Sequence, residues 1–460
     1  MLAQKRVTWK WKKGGSMKVQ IIQSSQKNGV GKVLKAKKLW ITGTTLPYLA
    51  ALTPDDIHVD IKNELVEDID FHCDHDLIAI TTMGCSVSRA FEIADEFRER
   101  GKKVVMGGIP VTLSPEIALE HADTVVVGEA EHVWENLLRD FERGNLQKRY
   151  QSDTLCDLRK IPSPRYEMLD KSLYAPIRPV EATRGCPHKC YYCSPAHVYK
   201  GVHRMRAIDD VIRDIETIKN SGIRRILFVD DSIDGNRKYF KELLRELIPQ
   251  KIKWFSQATV NAARDAEIVD LMAQSGCEML SIGFESVNQK SLQSVRKNHN
   301  TVKDYKTIVS TLRRKGISVN ALIMLGFDQD DESVFEETYH MFEEMGVSLP
   351  ELFILVPPLG TDLFREFEEG GRLLHRDWSR YKVTEVVFQP KQMSPETLQK
   401  GFWDTYDRFY SFPSIFKRMF LKDAASLLNR KVFWQTLLVL YFNLKYRKTI
   451  MQDRVHPGVI

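Results

Sequence analysis

Apolar runs alternate with helix-period segments six times between residues 177 and 360. The runs read RPVEAT (178–183), ILFVDD (226–231), KWFSQAT (253–259), MLSIGFE (279–285), SVNALIML (318–325) and LFILVP (352–357). Continuous apolar runs of this length are typical of buried parallel strands, which need a helical crossover between them. The alternation therefore predicts a partial (β/α)6 barrel of the TIM type over residues 177–360, with its chemistry at the carboxyl ends of the strands.

A second alternation precedes it and predicts a separate domain over residues 17–150. Apolar strands DLIAITTM (76–83), KVVMGG (103–108) and TVVVGEAE (124–131) flank helical segments such as VSRAFEIADEFRERG (87–101). This order is typical of a doubly wound, Rossmann-like α/β sheet. The remaining boundaries are a basic extension (1–16, with Met17 as the expected true start), a Pro- and charge-rich linker (151–176) and a mostly helical C-terminal region (361–460).

Composition restricts the function classes. The 460 residues carry a formal net charge of +6 and form no basic cluster with interleaved aromatics, so we expect no nucleic-acid partner. No apolar run reaches the roughly 18 residues that cross a bilayer. Seven cysteines, an odd number, without an export signal favour a reduced cytoplasmic location. Aromatic helices with basic flanks after residue 400 either cover the barrel or make peripheral membrane contact.

Three cysteines lie within eight residues, in RGCPHKCYYCS (184–194). Thiols at this spacing in a reduced compartment usually hold a metal. Zinc would need a fourth ligand from His188, His197 or His203. An iron–sulfur cubane held by Cys186, Cys190 and Cys193 would instead leave one iron open for a substrate.

The C-x3-C-x2-C spacing, with Tyr192 before the last cysteine, resembles the signature of radical S-adenosylmethionine (SAM) enzymes. The resemblance implies a 4Fe-4S cluster that binds S-adenosylmethionine and, once reduced by a donor such as flavodoxin or ferredoxin, cleaves it to a 5′-deoxyadenosyl radical. It also implies contacts to S-adenosylmethionine from strand ends and the cysteine loop. The residues expected to make them are Tyr192, Asp230, Asp231, Glu285 and Gly326. Arg206 matches a basic position of the family, but a solvated helix start explains it equally well.

The N-terminal sequence resembles the cobalamin-binding domain of a radical SAM subfamily that includes the anaerobic magnesium-protoporphyrin ester cyclase and the hopanoid C-2 methylase. This likeness runs from about residue 17 to 410. The cobalt-ligating D-x-H-x-x-G motif is absent, and we interpret His72 and His75 of DFHCDHD as surface residues. The corrin would then be held by loops at the strand ends, or the sheet would serve only for docking. The loop residues implied are Met83, Gly84, Ser86, Gly107, Gly108, Pro110, Gly128 and Glu129.

Together these likenesses imply cobalamin-dependent C-methylation of an unactivated carbon in a lipid or another small-molecule natural product. A radical cyclase, dehydrogenase or rearrangement enzyme without methyl transfer is an alternative. An iron–sulfur redox sensor or scaffold is an alternative of another class. The sequence identifies no side chain that acts directly in the chemical step.

Overall fold

A computed structural model describes residues 16–28, 31–421 and 430–456. The first domain is a six-stranded sheet whose paired strands are all parallel, in the order β2-β1-β3-β4-β5-β6. Its strands are β1 (Lys18–Gln23), β2 (His58–Asn63), β3 (Leu77–Thr81), β4 (Lys103–Gly107), β5 (Thr124–Val127) and β6 (Arg149–Gln151). Its helices are α1 (Thr45–Leu52), α2 (Val87–Glu99), α3 (Ile109–Leu113), α4 (Pro115–His121) and α5 (Trp134–Glu142).

Both faces of this sheet are buried at its centre, which explains why β3, β4 and β5 are mostly apolar, whereas the edge strands β2 and β6 carry polar residues. In β1, Val19 and Ile21 pack with α1 and α5, while Ile22 packs with α2, α3 and α4 on the other face. The strand order reverses between β1 and β3. In open parallel sheets such a reversal leaves a ligand-binding crevice at the carboxyl ends of the strands.

His75 corrects one sequence interpretation. His72 is exposed, but His75 is buried, and its Nε2 lies 2.8 Å from Asp60 of β2. His75 lies just before β3, and β1 separates β3 from β2. Its ring reaches Asp60 of β2 along the sheet and is therefore shielded from solvent. It lies at the amino-terminal end of the strand, away from the crevice.

The second domain is a six-stranded parallel sheet in the order β14-β13-β12-β11-β10-β7. Its strands are β7 (Ile177–Val180), β10 (Arg225–Phe228), β11 (Lys253–Ala258), β12 (Cys277–Glu285), β13 (Ser318–Leu325) and β14 (Leu349–Ile354). A short antiparallel pair, β8 (Thr183–Arg184) and β9 (Arg204–Met205), flanks the cysteine loop. The helices of the second domain are α6 (Ser194–Tyr199), α7 (Ile208–Asn220), α8 (Arg237–Leu247), α9 (Ala266–Ser275), α10 (Gln289–Ser294), α11 (Tyr305–Arg314) and α12 (Ser333–Met345). The strand order follows the chain order, as expected for a partial barrel.

The chain after the barrel is mostly helical. It contains α13 (Asp362–Glu369), α14 (Pro395–Phe409), α15 (Phe412–Phe416) and α16 (Arg430–Asp453). Between α13 and α14, residues 372–389 form a strap that reaches the first domain. Trp378 packs against the core beside α2, and the Lys382 ammonium donates to the Asn28 carbonyl at 3.1 Å. The α/β fold class is therefore confirmed for both sheets, whereas the basic extension lies almost wholly outside the described residues.

Candidate active site between the two sheets

The cysteine loop (184–194) is fixed by backbone contacts on both sides. Gly185 has φ +85°, and a Cβ there would lie 2.2 Å from the Val202 carbonyl oxygen, so the turn requires glycine. Its N–H donates to Asp231 at 2.9 Å, and the Tyr191 N–H donates to the Val295 carbonyl at 3.0 Å. The loop that carries the three thiols is thus held at the carboxyl end of β7.

The three thiols lie in a shielded environment. Cys190 is buried and the other two are partly buried. Burial raises the pKa of Cys190 to about 11 and that of Cys193 to about 12, although the nearby Lys297 ammonium acts in the opposite direction. Their sulfurs are not mutually within 4.8 Å, whereas tetrahedral zinc with Zn–S of about 2.3 Å would bring them to roughly 3.8 Å. The wider spacing suits a cluster in which each sulfur binds a different iron.

The histidines that a zinc site would need are engaged elsewhere. His197 Nδ1 lies 2.9 Å from the Cys193 carbonyl, and its Nε2 accepts the Asp362 N–H at 3.1 Å. His203 Nε2 lies 3.0 Å from the Ser232 carbonyl. His188 stacks on His299 with ring centroids 3.8 Å apart. These contacts favour the iron–sulfur interpretation over zinc.

Glu285 and Lys297 form a shielded ion pair close to the cysteine loop. Lys297 Nζ lies 2.8 Å from Glu285 Oε1, and both side chains are nearly buried. Glu285 has φ +64°, an unfavourable conformation for a non-glycine residue, where the pairing of β12 with β13 shifts register. A Cβ at Gly283 would lie 2.3 Å from the Glu285 carboxylate. Gly283 therefore makes room for the pair.

Asp230 and Asp231 both bind the chain that leads into the cysteine loop. Asp230 is buried and accepts the Thr183 hydroxyl at 2.6 Å and the Ala182 N–H at 3.2 Å. Burial raises its pKa to about 7. Asp231 is exposed and accepts the Gly185 N–H, so its second oxygen is the better placed for a ligand ammonium.

Tyr192 of the cysteine loop lies beside Phe327, the residue that follows Gly326 at the end of β13. The Tyr192 ring meets Phe327 edge-on at 6.1 Å, and the neighbouring Glu285 carboxylate adds to burial in raising its pKa. Gly326 has φ +101°, but a Cβ there would lie 2.8 Å from Leu398 of α14. Leu398 therefore fills the space beside Gly326. The expected S-adenosylmethionine contacts of all five residues remain predictions.

Arg206 differs from its sequence interpretation. It is 3% exposed and pairs with the buried Asp214 at 2.7 Å. Its Nη1 also donates to the Glu181 carbonyl at 3.0 Å. Arg206 is therefore a buried structural cation that links β7 to α7, and it is not part of a solvated helix start.

The loop after β3 presents an apolar side chain beside open space. Met83 is 66% exposed, and no atom lies within 4 Å of the Cβ position of Gly84. Ser86 is buried, and its hydroxyl lies 3.2 Å from the Met83 N–H and 3.0 Å from the Thr82 hydroxyl. The loop is thus internally fixed while its outer surface stays available to a large ligand.

The loops after β4 and β5 complete this edge. Gly108 has φ +112°, and a Cβ there would lie 2.3 Å from the Thr82 carbonyl oxygen. Pro110 lies in the first turn of α3, and Gly107 ends β4 beside Val126. Gly128 has φ +83°, with open space beside it. The fit to a flat macrocycle is good, because the glycines leave backbone exposed at one edge.

Glu129 lies at this edge but its carboxylate is occupied. It pairs with Arg184 at 2.8 Å and with Arg204 at 2.7 Å, and it accepts the Cys156 N–H at 2.8 Å. Arg184 also pairs with Glu131 at 2.6 Å, and Arg184 is the first residue of the cysteine loop. The end of β5 is therefore tied to the cysteine loop. The expected corrin contact of Glu129 remains a prediction, because this structure gives it a role between the domains.

Glu129, Glu131 and Cys156 also bring potential metal ligands within 4.8 Å of one another. The two guanidinium groups already compensate this acidic trio, so it is an ion-pair network and does not indicate a metal site.

Comparison with known proteins identifies the family. Residues 180–342 match the radical SAM superfamily, and residues 47–138 match the B12 binding domain. Bacteriochlorophyllide d C-12(1)-methyltransferase of Chlorobaculum tepidum is 32% identical over 353 residues, which are 75% of this chain and 77% of that protein. The chain belongs to the cobalamin-binding radical SAM enzymes. Its cofactors are therefore a 4Fe-4S cluster, S-adenosylmethionine and cobalamin, and the thiol spacing and open strand ends fit them.

Two further comparisons agree with the assignment. Bacteriochlorophyllide d C-8(2)-methyltransferase of the same organism is 28% identical over 400 residues, 84% of this chain and 88% of that protein. The structure of the methyltransferase TsrM from Kitasatospora setae, with cobalamin and a [4Fe-4S] cluster bound, matches with a TM-score of 0.63 and 16% identity. That match covers 84% of this chain and 85% of TsrM. It confirms the fold of both domains.

Proposed function

We propose that this enzyme transfers a methyl group to a carbon of an apolar natural product, with a chlorophyllide-type macrocycle as the substrate class. The observation that carries the proposal is that the carboxyl edges of the two sheets meet. Glu129, after β5, pairs with Arg184 at the cysteine loop. A Cβ on Gly360, after β14, would lie 2.2 Å from the Leu113 carbonyl oxygen of α3. The names of the two bacteriochlorophyllide relatives support the substrate class.

The chain's own residues position and shield the reaction. When bound, the cluster with S-adenosylmethionine supplies a carbon-centred radical, and the corrin supplies the methyl group. Lys297 places a positive charge beside the three thiols, and Glu285 compensates it. The strap (372–389) contacts the first domain through Trp378 and Lys382, and in this proposal it lengthens the path that solvent takes to the strand ends. Excluding water protects a radical from side reactions.

The experiment is a single-turnover assay with the reconstituted holoenzyme, a chlorophyllide substrate and S-adenosylmethionine carrying a trideuterated methyl group. We expect S-adenosylhomocysteine and 5′-deoxyadenosine in equal amounts, and a product that is heavier by the labelled methyl group. A dehydrogenase or cyclase would give 5′-deoxyadenosine alone and an unlabelled product, which would refute methyl transfer. If labelled methyl is transferred to another apolar substrate but not to chlorophyllide, methylation stands and the substrate class is wrong.

Cys190→Ala provides the control for radical chemistry. It removes one cluster thiol, so we expect neither product nor 5′-deoxyadenosine. Cys277→Ala is the matched variant, because Cys277 is a buried thiol at the start of β12, far in sequence from the cysteine loop. It should keep the product ratio of the wild type.

A further inference from the structure

The inward face of the long helix α16 combines core residues such as Val439 and Ile450 with buried polar side chains. Asn443 is fully buried and donates from Nδ2 to the Ser348 carbonyl at 3.0 Å. Gln435 is buried and donates to the Ser318 hydroxyl at 3.2 Å. The Tyr446 hydroxyl bonds to Glu351 at 3.0 Å. These partners lie at or near the starts of β13 and β14, so α16 lies across the amino-terminal end of the barrel.

The opposite face of α16 is apolar and exposed. Phe433, Tyr441, Leu444 and Met451 are 42%, 48%, 44% and 38% exposed. Their spacing of 8, 3 and 7 residues places them on one side of a helix with 3.6 residues per turn. A helix that only covered the barrel would turn such residues inward. Because the inward face already supplies Val439 and Ile450 to the core, the exposed apolar residues come in addition to those that packing on the barrel requires.

Neighbouring segments extend the apolar surface. Phe412 and Phe416 of α15 are 61% and 55% exposed, and the Arg447 guanidinium of α16 lies 4.2 Å from the Phe412 ring. On the other side, the Trp40 ring lies 6.1 Å from that of Tyr441, next to the exposed Ile41. We call this surface the basal face. It comprises Ile41, Phe412, Phe416, Phe433, Tyr441, Leu444 and Met451.

Charge is concentrated in the same part of the chain. Residues 412–451 contain eight lysines and arginines and one aspartate. Of these cations, Arg418 is buried and Lys417 pairs with Glu343 at 2.7 Å, so these two add little to the charge at the surface. The whole chain has a formal net charge of only +6, so this segment accounts for the basic balance and the rest is nearly neutral. Lys448 is exposed on α16 between Leu444 and Met451. An apolar stripe with adjoining cations matches an anionic bilayer, which offers acyl chains below negative headgroups.

We propose that the basal face binds the surface of an anionic lipid bilayer. In the described ranges no helix is both long and apolar enough to span a membrane, so α16 would lie in the plane of the headgroups. Because α16 crosses the amino-terminal ends of the strands, the active-site edge points away from the lipid. The bilayer therefore anchors the enzyme without covering the entrance to its site.

Co-sedimentation of the reconstituted holoenzyme with vesicles tests this proposal. We expect binding to phosphatidylcholine vesicles that contain roughly a third phosphatidylglycerol, and much weaker binding to pure phosphatidylcholine. Leu444→Glu should lower the partition coefficient on anionic vesicles at least about tenfold, since it places a charge in the apolar stripe. Lys448→Glu should weaken binding to anionic vesicles and leave the residual binding to neutral ones unchanged. Leu374→Glu, at a 47% exposed leucine outside the basal face, is the matched control and should bind like the wild type.

Each variant must match the wild type in iron content and in far-ultraviolet circular dichroism. A loss of vesicle binding can then not be explained by a loss of folding. Equal sedimentation of Leu444→Glu and wild type would overturn the proposal. It would also be overturned if the wild type were a dimer in solution that Leu444→Glu converts to a monomer while neither binds vesicles. The basal face would then be an interface between two copies of the chain.

Discussion

Replacing Glu129 by glutamine tests whether the ion pairs between the domains hold them together. Glutamine keeps the shape and one acceptor oxygen but removes the charge. Arg184 would retain Glu131 and Glu181, whereas Arg204 would retain the Cys156 carbonyl at 2.8 Å without its carboxylate partner. The substitution therefore leaves a buried guanidinium uncompensated at the interface.

Two independent arguments give the same magnitude. Burial alone would raise the pKa of Glu129, but hydrogen bonds from Arg204 and the charge of Arg184 lower it to about 2, from an ordinary value of 4.5. At about 1.4 kcal/mol per pH unit this shift corresponds to about 3 kcal/mol of stabilisation at neutral pH. Removing one partner from a buried pair typically costs about 3–5 kcal/mol. Since the Glu129 side chain is 5% exposed, solvent screens little of this energy.

Urea unfolding of the anaerobically purified protein measures the effect. We expect Glu129→Gln to lower the free energy of unfolding by about 3 kcal/mol at pH 7. Because the folded-state pKa is depressed, the stabilisation is present above the unfolded value of 4.5 and is lost as the pH falls through about 2. The difference from wild type should therefore be constant above roughly pH 5.5 and shrink below pH 4.5.

Glu116→Gln is the control for this measurement. Glu116 pairs with Arg149 at 3.5 Å and its side chain is 80% exposed, so its loss should cost less than about 1 kcal/mol. A Glu129→Gln variant as stable as Glu116→Gln at pH 7 would show that the network does not hold the domains together.

Three further predictions concern the cofactor sites and pH. Cys190→Ala should reduce iron from about four atoms per chain to near zero while cobalamin still binds, measured by metal analysis of iron and cobalt; retained iron would contradict the cluster assignment. Gly108→Ala should bind no cobalamin, since the added Cβ would clash with the Thr82 carbonyl oxygen. Gly43→Ala is the control and should keep cobalamin, because a Cβ there has no contact under 4.0 Å. Equal cobalt content in the two variants would contradict this prediction. Burial raises the pKa of Asp230 to about 7 in the folded state, against an ordinary value of 3.8. Between pH 3.8 and 7 the folded state therefore binds one more proton than the unfolded state, and the free energy of unfolding falls as the pH rises. Asp230→Asn should flatten this pH dependence of the free energy of unfolding, measured by urea titrations between pH 5 and 8. An unchanged slope would show that another group causes the pH dependence.

Most strands could be predicted from the sequence, because parallel strands that are buried on both faces must be mostly apolar. The exceptions are the edge strands β2 and β6 of the first domain, whose polar residues gave no strand pattern. The predicted run 318–325 coincides with β13, and the other barrel runs end within three residues of the observed strands. The run for β10 extends past the carboxyl end of the observed strand, where polar site residues such as Asp230 follow the last hydrogen-bonded residue. By contrast, β12 and β14 begin two and three residues before their predicted runs. The cysteine loop was likewise predictable, since its thiols are adjacent in sequence.

Contacts between distant segments could not be predicted. Glu129 and Arg184 lie 55 residues apart and meet only when the two sheets are placed edge to edge. Lys297 gave no recognisable signal, although Gly283, two residues before Glu285, marks the space that the pair occupies. The sequence predicts that α16 has two faces but cannot tell which one faces the barrel, because its inward amide groups are satisfied by strand ends a hundred residues away.

The strap has a consequence for how the enzyme is made. Residues 17–151 are synthesised before the barrel and contain all six strands of the corrin-binding sheet. At that stage neither the cysteine loop nor Trp378 and Lys382 of the strap exists to cover the strand ends. The sheet that holds the corrin is therefore complete before the segments that pack against it are synthesised.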